Sequence, residues 1–217
     1  MSDNHFQVTI AVRKYCRLLA ATAISLVFIH LALAYYNYRI EEVPWLIVQL
    51  FHLDEENNIP TWFSSFLLLN VAAVLYLAAL SKEGKYRIHW FLIAAGFLIL
   101  AMDEVAGLHE SFNSAIEMNW AIPGAILITI VGLIFVPFLL SLERRLAGLF
   151  LLSGFVFVSG AIIVELLSQD MDEETLAYNI AVALEEGLEM FGALFFLLVN
   201  LKEMQNNGEI KINVGVS

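Results

Sequence analysis

The apolar positions of the chain fall into six long runs separated by short polar stretches: Leu18 to Tyr36, Thr61 to Leu80, Ile88 to Leu108, Ala121 to Leu142, Leu146 to Leu167 and Leu176 to Leu201. Each run is near the roughly 20 residues that an α-helix needs to cross a hydrocarbon core, and none shows the short alternation of an outer-membrane barrel. The pattern predicts an all-α fold: a polytopic membrane protein, built as a six-helix transmembrane bundle. Residues 1–17 and 202–217 are the polar ends of one integral domain, and the tail from Gln205 to Ser217 reads as loose.

Composition strengthens this reading. Of 217 residues, 60% are hydrophobic and 15% charged, and the mean hydropathy is +0.76, which makes the lipid bilayer the chain's main partner. Acidic residues number 22 and basic residues 11, for a net charge of −11. That sign excludes a polyphosphate partner such as nucleic acid. Cys16 is the single cysteine, so there is no disulfide framework.

The basic residues set an orientation. Arg13, Lys14 and Arg17, then Lys82, Lys85 and Arg87, then Arg144 and Arg145, then Lys202 and Lys211 fall in alternate connections, and only Arg39 lies opposite. The positive-inside rule places both termini in the cytoplasm of a cell whose plasma (inner) membrane holds the protein. The opposite face is strongly acidic, with Glu41, Glu42, Asp54, Glu55, Glu56 and the run Asp170 to Glu174, and Trp45, Trp62 and Trp120 sit there as interfacial anchors. The first run, preceded by basic residues and ending Ala32-Leu33-Ala34, also fits a cleaved signal peptide. A retained anchor is expected, because the run is longer than the ~7 to 15 residues of a signal core.

Candidate chemistry lies in ionisable groups within or beside the apolar runs. The third run ends Asp103-Glu104-Val105-Ala106-Gly107-Leu108-His109-Glu110, the fifth ends near Glu165, and the sixth carries Glu185, Glu186 and Glu189. At a helix centre each charge costs on the order of 2.5 to 3.5 kcal/mol, so these groups should face the bundle interior. At about 100° per residue, Asp103 and Glu110 lie within roughly 20° of each other, and Glu185 and Glu189 within about 40°. Carboxylates and an imidazole at one depth are donors for a divalent metal, with zinc, iron, manganese and calcium all compatible. The expected ligands are Asp103, Glu104, His109, Glu110, Glu186 and Glu189, with Glu165 or Glu185 as catalytic base. A second oxygen-rich segment, Asp54, Glu55, Glu56 and Asn57, is a candidate calcium site, although its simpler reading is a helix start at Pro60 with acids favoured by the helix dipole. His30, on an apolar helix, reads as a satisfied interior histidine, and His5 and His89 as surface or interface residues.

Soluble-enzyme signatures are absent: the sequence has no G-x-x-x-x-G-K-[ST], no H-E-x-x-H, no G-x-S-x-G and no Glu-x-x-His pair. The segment from Asp54 to Trp62, with its Glu-Glu-Asn and following Thr-Trp, and the pairing of Asp103 with His109, resemble the alkaline ceramidases and their superfamily of membrane hydrolases. That resemblance implies a zinc-type site and a lipid amide substrate. The chain departs from it in having six helices rather than seven and Glu185-x-x-x-Glu189 where the family has two histidines. The motifs L-D-E-E-N-N-I-P-T-W-F-S-S and L-E-E-G-L-E-M also resemble a bacterial six-helix membrane family of unassigned function. The sequence thus leads to a metal-dependent membrane hydrolase acting on a lipid or amphiphile, with bound metal activating water. Two alternatives stay open: a cation or proton transporter using the same carboxylates, and a calcium-binding sensor or accessory subunit.

Overall fold

The computed structural model describes residues 5–108, 118–205 and 209–215. Strand β1 (His5–Ala11) leads into helix α1 (Val12–Arg39), followed by a short α2 (Trp45–Phe51), α3 (Ile59–Ser81), α4 (Arg87–Ala106) and α5 (Ala121–Ser141). Helix α6 (Arg144–Val158) runs through a π-helical turn (Ser159–Val164) into α7 (Glu165–Ser168), and α8 (Leu176–Met204) precedes strand β2 (Glu209–Gly215). Five helical segments are long and apolar enough to cross a membrane: Val12–Arg39, Ile59–Ser81, Arg87–Ala106, Ala121–Ser141 and Arg144–Ser168. The sixth apolar run also forms a helix, α8, 29 residues long, but with its three glutamates it is not among the five candidate spans.

Helix α8 is central, packing against α1, α3, α6 and the π-helical turn. Helix α1 meets it with a stripe of Val12, Cys16, Leu19, Ala23, Leu26, His30 and Ala34, spaced three or four residues apart as one helix face requires. Leu18, Ile24 and Phe28 are exposed on its other side. Both faces are therefore apolar, as expected where lipid replaces water. Helix α5 buries only Ala121 and Phe138 and is the peripheral member. The π-helical turn comes very close to α8. A Cβ on Gly160 would stand 2.5 Å from the Glu185 carbonyl oxygen, and one on Gly192 would stand 2.5 Å from the Phe157 nitrogen. Only glycine permits that approach of backbones.

The chain ends correct an expectation. The tail does not stay loose over its described part, because Glu209–Gly215 pairs antiparallel with His5–Ala11. Both segments alternate polar and apolar residues, and the register sets Val8 opposite Ile212 and Ile10 opposite Ile210. This period-2 pattern, not the overall polarity, decides the structure. The ribbon brings both termini to one end of the bundle.

Candidate functional site

The end of the bundle opposite the ribbon is built around the first half of α8. Asn58 caps α3, its side chain accepting from the Thr61 amide at 3.1 Å and donating to the carbonyls of Gln49 (3.0 Å) and His52 (2.6 Å). The Thr61 hydroxyl donates to the Glu55 carbonyl at 2.8 Å, and Ser65 donates to Ala101 at 2.7 Å, tying α3 to α4. These bonds hold the segment 52–58 across the helix ends.

From there the segment reaches α1 and α8. Leu53 donates its amide to His30 Nδ1 (3.3 Å), and His30 Nε2 faces the Asn179 carbonyl at 3.0 Å. An amide donor at Nδ1 requires a lone pair there, so His30 is neutral with its proton on Nε2. It is the satisfied interior histidine that the sequence predicts. His52 stands edge-on to it, ring centroids 4.8 Å apart, with Nε2 3.2 Å from Asn179 Oδ1. Tyr178 donates its hydroxyl to Asp54 at 2.6 Å.

The candidate calcium segment does not gather around a point. Asp54 turns to Tyr178, Glu55 contributes its backbone carbonyl, and Asn57 takes a left-handed conformation (φ 57°). Glu56 instead covers Gly107, the left-handed cap of α4 (φ 54°), where any Cβ would overlap its carboxylate. Its Oε1 is buried and has no hydrogen-bond partner among the described residues.

Deeper in, the carboxylates form two groups. Glu165 and Glu185 lie within hydrogen-bonding reach of each other, and Asn119 donates to Glu165 Oε1 at 2.8 Å. The π-helical turn places Glu165 there. One extra residue in the helix rotates everything after it by about 100°, and π-turns recur at functional sites for this reason. Glu186 and Glu189 belong to the second group. With Glu104 and Ser64 they line a small cavity of about 10 Å³, whose remaining walls are Leu67, Leu68, Phe157, Met190 and Ala193. Asp103 is half-buried on the same last turn of α4 as Glu104 and lies outside the cavity lining.

His109 and Glu110, two of the expected ligands, lie outside the described residues. Among the described residues, no three His, Cys, Asp or Glu side chains converge as a metal ion requires. Sequence reasoning missed Asn179, Tyr178 and Asn119 as members of this end, whereas Ser64 follows from the polar start of α3. Asn179 was legible in principle: it stands seven residues before Glu186, within about 20° of it around the helix, and a buried amide in an apolar helix is itself a signal.

The sequence profile of a domain of unknown function, DUF8692, matches residues 18–202. The chain belongs to that family. The matched region contains every helix carrying the carboxylates and leaves out both strands of the terminal ribbon. It provides no link to the alkaline ceramidases. No curated protein and no solved structure matches the chain.

Proposed function

We propose that the protein carries protons or another small cation across the membrane, with Glu104, Glu186 and Glu189 as an internal relay and Glu165 with Glu185 as the pair that loads it. The observation that carries this reading is the shared cavity: three carboxyls from α4 and α8 line one small space. No lysine or arginine of α8 stands near Glu186 and Glu189. On α8 the nearest is Lys202, 202 − 189 = 13 residues past Glu189, or about 20 Å at 1.5 Å per residue. Carboxyls in such a setting take up and release positive charge, which is what a relay does.

The size of the cavity favours transport over lipid hydrolysis. With room for about 10 Å³ it is far below the roughly 300 to 1,000 Å³ of pockets that enclose small-molecule ligands. A hydrolase would draw on the metal set Asp103, His109, Glu186 and Glu189, and on a lipid reaching it. In the orientation set by the basic residues, the relay occupies the outer half of the bundle and both termini are cytoplasmic.

Purified protein in vesicles, with a pH-sensitive dye inside and an imposed proton gradient, tests the proposal. Wild type should dissipate the gradient, and Glu186→Gln should fall to the rate of protein-free vesicles while remaining folded. A cysteine at Asn57, and not one at Glu83, should react with an outside thiol reagent in cells. Equal flux in Glu186→Gln and wild type, or hydrolysis of lipid amides or esters lost in that variant, would replace the relay with another function.

A further inference from the structure

The carboxyls leave one wall of the cavity unexplained. Ser64 is only 8% exposed, lines the cavity, and makes no side-chain hydrogen bond among the described residues. Hydroxyls elsewhere in these helices behave differently. Thr22, Ser25, Thr129, Ser159 and Ser168 each donate to the carbonyl four residues back, and Ser65 donates across to Ala101. A hydroxyl that forgoes its own helix and opens into a cavity is left to pair with what the cavity holds.

What pairs with it is limited by space and donors. A calcium ion needs six to eight oxygens around one point, and the described acids do not converge in that way. A water molecule needs only 2 to 4 polar partners and a volume of about one water. At about 10 Å³ the cavity has room for a single water and no more.

We propose that Ser64 holds one water molecule between Glu104 and the Glu186–Glu189 pair, and that the cation passed along them is a proton carried through this water. The inference rests on the relay reading and narrows it to one ion. In the step, the O–H bond of a protonated carboxyl breaks as an O–H bond to the water forms, leaving carboxylate and hydronium. A second O–H of the hydronium then breaks as its proton bonds to the facing carboxylate, and the water is restored. Ser64 keeps the water within reach of both and exchanges no proton itself, so it is a positioning residue.

The test uses the full-length protein in vesicles, with choline, sodium or lithium as the bulk cation and the membrane potential clamped. Proton flux should be the same in all three. Ser64→Ala should lower it about tenfold, the factor one lost hydrogen bond supplies, and Ser64→Thr should restore most of it. The infrared band of protonated carboxyls should shift in Ser64→Ala and stay in place in Ser65→Ala. Flux that requires sodium and saturates with it overturns the proton assignment. Wild-type flux and an unmoved band in Ser64→Ala, with Glu186→Gln inactive, overturn the role of Ser64 and leave the relay standing. Absence of flux in wild type overturns the relay and this inference together.

Discussion

Each end of the bundle holds a histidine, and the two are treated in opposite ways. His30, at the acidic end, is 2% exposed and uses both ring nitrogens in hydrogen bonds. His89, at the basic end, lies nearly parallel to Phe138, centroids 5.3 Å apart, with Nδ1 buried and unpartnered among the described residues. Around His89 the contacts are rings: Trp90 stands edge-on to Phe138 and Phe150, and Phe150 edge-on to Phe196. Lys82 lies over Trp90 and Arg87 over Phe91. Around His30 they are directional bonds linking a loop, two helix ends and an amide.

The difference has a physical basis. Lipid tails are as apolar as leucine, so helices in a membrane associate through packing and hydrogen bonds rather than by escaping water. The basic end relies on packed ring volume, which accepts any side chain of similar shape. The acidic end relies on donor–acceptor geometry, which holds carboxyls and hydroxyls at set positions and suits a site. Breaking each end should therefore call for a different rescue.

The largest effect is expected at the aromatic end. Phe138 is fully buried, and Phe138→Ala should cost about 3 to 5 kcal/mol. Phe138→Leu should recover much of this in detergent unfolding titrations. Equal losses for Ala and Leu would mean that ring geometry, not volume, holds this end.

His30→Leu comes next, at about 2 to 3 kcal/mol, because it fills the space but leaves the buried Leu53 amide without an acceptor. His30→Gln offers an acceptor and a donor and should recover more stability than Leu does. If Leu is as stable as Gln, the acidic end is also held by volume and the contrast fails.

Smallest is Tyr178→Phe, which removes one exposed hydrogen bond to Asp54 and should cost about 1 kcal/mol or less. Hydrogen exchange should show faster opening of the loop 52–58, with the amides of α8 beyond Met190 unchanged. Uniform acceleration through α8 would show that the latch supports the whole bundle.

The terminal ribbon shows how far pattern reading reached and where overall composition misled. The tail is polar in composition, yet Ile210, Ile212 and Val214 alternate with polar neighbours just as Phe6, Val8 and Ile10 do. The pairing was legible in period and hidden in the average.

By itself the sequence determined the helical class, the approximate extent of the long helices, and the depth at which acidic residues enter them. Run length, a proline and an asparagine at the start of α3, and a glycine after α4 decide those locally. Which face each helix turns inward was left to the tertiary structure. Glu104 lines the cavity beside Asp103, which does not, and Ser64 opens into it while Ser65 binds Ala101. Hydropathy cannot separate such neighbours, because lipid makes the outer face of a helix as apolar as the inner one. Rotation is set instead by where backbones approach most closely, at Gly160 and Gly192, and by the π-helical turn that brings Glu165 to Glu185.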